Sequence, residues 1–229
     1  MLPANRGESA TASQRVYDDL RQRIVNLELP PGATLSRVEL TQRYEVSQSP
    51  IREAMQRLEQ DGLVRIFPQS KTIVTKIDVA QLNEAHFLRM AVEAEVVRRL
   101  ARAPDPAVIK KARAILDMQE VLADNLDEMA MFNELDEAFH QTLFDGVGQL
   151  NLHSLLKAKA GHMARARRLD LPKEGKINAI LAAHRAIIDA VEAGDEQGAQ
   201  EEMRRHLTGT IERIDLLRRE YPDHFRTSA

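Results

Sequence analysis

Three histidines and one aspartate fall inside apolar helical stripes of this chain, and together they have the composition of a divalent-metal site. In Ile177, Ile180, Leu181, His184, Ile187, Ile188, Val191, the imidazole stands at the centre of an i, i+3/i+4, i+7 face that must point into a protein interior. His206 is placed similarly between Met203 and Thr210, beside Leu207 and ahead of Ile214. Asp136 and His140 lie one turn apart in Phe132, Asp136, Phe139, His140, Leu143, and so share a helix face. Singly, each reads as a hydrogen-bonded core residue or a local ion pair. Jointly the balance shifts, because burying a carboxylate and three imidazoles without compensation is costly and one metal ion would satisfy all four. Such a donor set suits Zn²⁺, Ni²⁺, Mn²⁺ or Fe²⁺, and affinity order alone does not choose among them. A six-coordinate ion would keep two positions for water or a ligand. His86, His153, His162 and His224 lack this combination of stripe and partner, and are expected at the surface or behind the ligands.

Converging these side chains requires several helices, and the sequence beyond Asp78 supplies them. Helical periodicity marks about six segments, roughly 79–103, 105–124, 127–146, 149–170, 174–193 and 195–220, punctuated by Pro104, Pro106, Gly146, Gly148, Pro172 and Gly194. The expectation is an antiparallel helical bundle with no internal repeat. Aromatic residues make up only 4% of the chain, so aliphatic side chains must fill its core.

The segment before the bundle reads differently. Ser13 can cap a first helix with Val16, Leu20, Ile24 and Leu27 as its buried stripe, ending at Pro30-Pro31. Ser36 three residues before Glu39 is a capping-box pattern that opens a short helix reaching about Tyr44. After Glu45-Val46, Ser49 as N-cap and Pro50 at the first position open another helix, with Ile51, Ala54, Met55 and Leu58 inward and Gly62 as its stop. Leu63–Pro68, the turn Gln69-Ser70-Lys71 and Thr72–Ile77 then read as strand, turn and strand. Two short helices with a basic hairpin make a winged helix-turn-helix, whose second helix enters the major groove by its N-terminal end. The polar residues free to meet DNA are Arg37, Ser47, Gln48, Ser49, Arg52 and Gln56, with Lys71 at the wing tip placed for the phosphate backbone. A small helical domain using its hairpin for protein contacts is the alternative.

The fold class expected is therefore mainly α, with an N-terminal winged helix-turn-helix and a C-terminal antiparallel all-α bundle. The division expected is a disordered tail at 1–12, a DNA-binding domain at 13–78 and an effector-binding and dimerisation domain at 79–229. The net charge of −3 looks wrong for a DNA binder until it is divided: residues 1–78 hold 11 Lys and Arg against 10 Asp and Glu, and the remainder 21 against 25. DNA affinity must come from local placement and dimerisation, not bulk charge. The absence of cysteine excludes disulfides and thiolate metal ligands. The first dozen residues lack the apolar core of a signal peptide, and no run approaches the roughly 20 apolar residues that span a bilayer. A cytoplasmic protein with no membrane partner is expected.

The residues also carry two resemblances. Pro30-Pro31-Gly32 before Leu35, Val46-Ser47-x-Ser49-Pro50-Ile51-Arg52-Glu53-Ala54, Leu58-Glu59 and Asp61-Gly62-Leu63-Val64 closely resemble the winged helix of the GntR family of bacterial transcription regulators over residues 14–78. Arg52 matches a DNA-contacting position of that family. The chain departs from it at Val38 and Gln48, where arginine is common; Gln48 suits adenine where arginine prefers guanine, and Lys71 replaces a usual wing glycine. Asp136-Glu137-Ala138-Phe139-His140, His184-Arg185-Ala186-Ile187-Ile188-Asp189-Ala190 and Met203-Arg204-Arg205-His206-Leu207 resemble the metal-containing effector domain of the FadR-type branch, called FCD, in its shorter, six-helix VanR-like form. Gly148-Gln149-Leu150-Asn151 stands where many members read Gly-Asn-Pro.

The second resemblance implies a small carboxylate effector completing the metal coordination, with cations at its other end. Arg89, at a position where the family often has a pocket arginine, and Arg165 are the candidates; a solvated or salt-bridged arginine is the alternative for both. The function expected is a ligand-responsive regulator, more readily a repressor, acting as a homodimer on a near-palindromic double-stranded operator. Two other readings stay open: a metal-dependent hydrolase or lyase with Glu93 as base, and a structural metal in a dimerisation module.

Overall fold

A computed structural model describes residues 11–68, 70–123 and 129–227. Residues 1–10 of the expected tail at 1–12, Gln69 of the wing turn, the segment 124–128 and residues 228–229 lie outside the described residues. The chain forms two compact units, Met1–Lys76 and Ile77–Ala229.

The first unit contains α1 (Ala12–Val25), β1 (Thr34–Leu35), α2 (Arg37–Tyr44), α3 (Gln48–Gln60), β2 (Val64–Ile66) and β3 (Thr72–Val74). Its helix starts are set by side-chain caps. Thr11, not Ser13, caps α1 by accepting from the Gln14 N–H at 3.2 Å, so Thr11 and Ala12 belong to an ordered helix start and not to a tail. Ser36 caps α2 through the Glu39 N–H at 3.3 Å, as the pattern predicts. α3 begins two residues earlier than expected, with Ser47 in the extended cap conformation and Pro50 third in the helix. That shift costs no hydrogen bond, because the N–H that proline lacks is among those a helix start leaves unpaired. Gly62 at φ 73° closes α3 as expected, with its N–H on the Glu59 carbonyl and the Leu63 N–H on Leu58.

The core of this unit joins Val16, Tyr17, Leu20 and Ile24 of α1 to Ile51, Ala54, Met55 and Leu58 of α3. Leu27, expected in that stripe, instead takes the left-handed conformation at φ 64° in the turn after α1. Fully burying a Leu or Ile side chain contributes about 1.5–3 kcal/mol each, which fixes α3 against α1 and leaves its polar face outward. The wing strands are shorter than expected. They gain a partner that the sequence reading missed, because β1 pairs antiparallel with β3, giving the order β1-β3-β2.

The second unit is helical: α4 (Val79–Arg102), α5 (Pro106–Leu122), α6 (Met129–Gly146), α7 (Leu150–Lys159), α8 (Gly161–Asp170), α9 (Lys176–Glu192), α10 (Glu196–Thr208) and α11 (Ile214–Glu220). Asp78, Asp105 and Asp195 cap α4, α5 and α10 through backbone N–H groups. Two expected helices are each broken in two. The segment 149–170 turns at Ala160, where ψ is 12°, and 195–220 breaks at Gly209-Thr210 before a short 3-10 turn at Ile211–Arg213. A largely aliphatic core from α4, α5, α6, α9 and α10, joined by Phe132, Phe139 and Phe144, binds the bundle, including Val97, Leu100, Leu116, Leu143, Ile187, Ile188 and Met203. Ile77 forms a parallel bridge with Phe225, so the C-terminal residues pack on the start of this unit. Among the described residues, no helix is long and apolar enough to cross a membrane.

Candidate metal centre and nucleic-acid interface

The four stripe residues converge. One donor atom each from Asp136 and His140 on α6, His184 on α9 and His206 on α10 all lie within 4.8 Å of one another. His140 Nε2 and His206 Nε2 are 3.1 Å apart, and His184 Nε2 is 3.6 Å from Asp136 Oδ1. Donors about 2.0–2.1 Å from one ion stand roughly 3.0 Å apart at right angles and about 4.2 Å apart when opposite, the scale found here. Asp136 is 2% exposed, His140 3% and His184 0%, while His206 is partly exposed and faces a pocket.

The groups behind these four set which atoms face inward. Glu93 Oε2 lies 2.6 Å from His140 Nδ1, and Gln119 Oε1 lies 3.0 Å from His184 Nδ1. Both acceptors favour a proton on Nδ1, which turns the Nε2 lone pairs of His140 and His184 toward the cluster. Phe139 stacks on the His184 ring with centroids 3.9 Å apart and planes 9° from parallel, holding it edge-on to the site. Arg167 donates to Asp136 Oδ2, leaving Oδ1 for the cluster.

Two of the atoms aimed into the cluster then remain unexplained by the protein alone. Asp136 Oδ1 and His184 Nε2 are buried without a hydrogen-bond partner. An orphaned carboxylate oxygen facing an orphaned imidazole nitrogen is destabilising by itself and is satisfied by a cation. The residues present therefore fit a divalent metal.

The electrostatics agree with that assignment of atoms. Burial alone would raise the Asp136 carboxyl, but Arg167 and then the three histidines outweigh it and hold it well below the usual carboxylate range. For Glu93, burial is likewise outweighed by Arg89 and His140. Burial pushes the His184 imidazole down to about 3, opposed by the Asp136 charge. His206 is also pushed well down, by burial and then by His184 and His140. Asp136 thus stands as an anion, and His184 and His206 as neutral imidazoles, the protonation states a metal needs.

Beside His206 opens a pocket whose wall includes Arg89, Asn133, Arg167, Lys176, Thr210 and the apolar Leu171, Ile180 and Leu207. Arg89 is in this wall, as expected, with Nε 2.5 Å from Glu93 Oε1. Arg165 is not. It is fully buried, bonds His162 Nδ1 at 2.9 Å, and is pushed down to about 10 by burial. Arg167, two residues on and so on another helix face, takes the position expected of Arg165. The break at Ala160 resets the phase of α8, so a continuous helix over 149–170 could not show which arginine lines the pocket. His162 and His153 are buried, against the surface alternative allowed for them: His162 Nδ1 also accepts the Asp78 N–H at 3.0 Å, and His153 Nε2 lies 3.0 Å from Glu137 Oε1. Gln119, Arg167, Lys176 and Thr210 were missed. Gln119 had a readable signal, a polar residue in the stripe Ile109, Ala112, Ile115, Leu116; Lys176 and Thr210 had none, because the pocket brings together helix ends distant in sequence.

In the first unit, Arg37, Ser47, Gln48, Ser49, Arg52, Gln56 and Lys71 are all exposed. Ser47, Gln48, Ser49, Arg52 and Gln56 form the cap and outward face of the first turns of α3. The turn before α3 is made by Glu45 in the left-handed region at φ 53°. Lys71 sits 6.0 Å from the Phe67 ring, beside Arg65 at 5.3 Å, so both cations gather on the wing. Lys71 has no positive φ and so needs no glycine at its position.

Comparison with known proteins gives matches over both units. Residues 12–74 match the bacterial regulatory proteins of the gntR family, and residues 84–209 match the FCD domain. An HTH-type transcriptional regulator in an unstable DNA locus of Streptomyces ambofaciens is 40% identical over 219 residues, covering 96% of this chain and 92% of that protein. The HTH-type transcriptional repressor RspR of Escherichia coli K12 is 31% identical over 214 residues, 93% of each chain. Among solved structures, E. coli McbR/YncC superposes with a TM-score of 0.76 at 18% identity, covering 93% of this chain and all of that one, a likeness of fold.

Proposed function

The chain belongs to the GntR family of bacterial regulatory proteins, with a C-terminal FCD domain, and is a DNA-binding transcriptional regulator and not an enzyme; from that premise we propose that it is a repressor controlled by a small carboxylate bound at a divalent metal. The carrying observation is the pair of orphaned, buried donors, Asp136 Oδ1 and His184 Nε2, inside a four-residue set of metal-site dimensions. Asp136, His140, His184 and His206 would hold the ion, which would supply Lewis-acid coordination to one carboxylate of the effector. Arg89 and Arg167 in the adjoining wall favour an anion there. Glu93, the candidate base of a hydrolytic reading, is committed to His140 and Arg89, which favours sensing.

On the DNA side, Arg52, Gln48 and Gln56 are the base-reading candidates, Ser47 and Ser49 contact phosphate near the α3 start, and Arg37 and Lys71 contact the backbone. Two copies of the chain would present two such helices to half-sites of a near-palindromic operator. Coupling between operator and effector is reciprocal by thermodynamic necessity, typically about 1–3 kcal/mol. The repressor assignment draws on relatives such as the transcriptional repressor RspR.

The test begins with elemental analysis of protein purified without an affinity tag, comparing wild type with the His184→Ala/His206→Ala double mutant. Near-stoichiometric metal lost in the mutant is expected. DNA fragments selected by the protein from a random pool then give an operator, on which a carboxylate panel should weaken binding only when metal is present. Metal absent after reconstitution, or DNA affinity indifferent to the whole panel, overturns the reading.

A further inference from the structure

The pocket wall is balanced in a way that specifies the charge of its ligand. Its three cations each face a carboxylate: Arg89 with Glu93, Arg167 with Asp136, and Lys176 Nζ 2.9 Å from Asp170 Oδ2. Those three pairs cancel, and Arg213 beside Asp170 adds one positive charge. A divalent ion among the imidazoles adds two positive charges, and the Asp136 charge that could oppose them is already engaged by Arg167. Uncompensated charge in a buried site is costly, and a dianion offsets twice as much of it as a monoanion does.

A second observation locates the other half of that dianion. Asp170 is 0% exposed and has two cationic partners, because Arg213 Nε lies 2.7 Å from Oδ1 while Lys176 and the Thr210 hydroxyl, at 3.4 Å, lie on Oδ2. Lys176 can therefore turn to a ligand carboxylate and leave Asp170 paired with Arg213. Arg167 lacks this freedom, since turning it away would strand Asp136 Oδ2, and turning Arg89 away would leave Glu93 with His140 alone. Lys176 opens α9 eight residues before His184, about 12 Å along the helix axis at ~1.5 Å per residue. Thr210 follows His206 by one turn's worth of chain. Between these polar ends the wall is apolar, with Leu171, Ile180 and Leu207.

We propose that the effector is a dicarboxylate with a short hydrocarbon spacer, one carboxylate at the metal-ligand set and the other on Lys176 and Thr210, with Arg213 keeping Asp170. This rests on the carboxylate-sensing reading and names the class of carboxylate. Lys176 is its specificity-determining residue.

The test is calorimetric titration of full-length, Zn²⁺- or Ni²⁺-loaded protein with malonate, succinate and glutarate against acetate, propionate and butyrate. At least one diacid should bind about tenfold or more tighter than its monoacid partner, the scale of one well-placed charged contact. Lys176→Met should remove that advantage while leaving metal content and monoacid affinity unchanged. Equal affinity for both classes in the wild type, or an advantage retained in Lys176→Met, overturns the dicarboxylate proposal and leaves carboxylate sensing standing. Binding by neither class, or binding unaffected by metal removal, overturns both.

Discussion

Gln119 offers the sharpest separation between a metal site and a polar knot that merely holds the bundle together. It is fully buried on α5; its Oε1 lies 3.0 Å from His184 Nδ1, and its Nε2 has no hydrogen-bond partner. Gln119→Leu keeps much of the side-chain volume and removes both polar atoms. In metal-free protein two effects oppose each other: the unsatisfied amide N–H₂ disappears, while His184 Nδ1–H loses its acceptor, each worth about 1–3 kcal/mol. Stability without metal should therefore change by less than about 1 kcal/mol. Metal affinity should not be spared, because Gln119 holds the tautomer that directs Nε2 into the cluster. Loss of such an outer partner weakens binding by about 10–100-fold, or roughly 1.4–2.7 kcal/mol. Competition for Zn²⁺ against a chromophoric chelator measures the second quantity, and urea unfolding of chelator-treated protein the first. Metal affinity within twofold of wild type would refute the orienting role, and a large loss of metal-free stability would show that Gln119 serves packing instead.

Three further outcomes bear on the two units. Lys71→Ala should weaken DNA binding for every sequence alike and reduce the slope of log K against log salt by about 0.9, one phosphate contact, whereas Arg52→Ala should cost about 1–3 kcal/mol on the selected operator and relax its specificity; filter binding at several salt concentrations distinguishes them. Gly62→Ala forces a Cβ into the left-handed region at φ 73° and should destabilise the first unit by about 1–2 kcal/mol, read from the urea midpoint. Asp78 caps α4 and meets Arg226 at 2.8 Å; burial would raise its carboxyl, but Arg226 and the N–H groups of Gln81 and Ala80 hold it below the ordinary value. Because its folded pKa is depressed, its contribution is full above the unfolded value of about 3.9 and is lost as pH falls below it. Asp78→Asn should lower stability at pH 7 and converge with wild type toward pH 2, and equal pH profiles would refute the assignment.

How much of this was legible in the sequence follows from what fixes each feature. The convergence of Asp136, His140, His184 and His206 was readable because each interrupts an apolar stripe, and helical period alone sends such residues to one interior. Arg52 and its neighbours were readable because Ile51, Ala54, Met55 and Leu58 consume the other face of α3. Local caps were less secure, since Ser47 and Ser49, or Thr11 and Ser13, compete within two residues and tertiary packing decides between them. Least legible was the pocket wall. Lys176 and Thr210 meet only because α9 begins where α10 ends, and Arg167 replaces Arg165 only because the chain turns at Ala160. Periodicity specifies the face of a helix from within, whereas a pocket built at helix ends depends on where each helix stops. In relatives of this chain, Asp136, His140, His184 and His206 can therefore persist unchanged while a one-residue shift at a helix end replaces the cations of the pocket wall. On the proposed reading, effector identity should therefore vary among relatives through the position equivalent to Lys176 and not through Asp136, His140, His184 and His206.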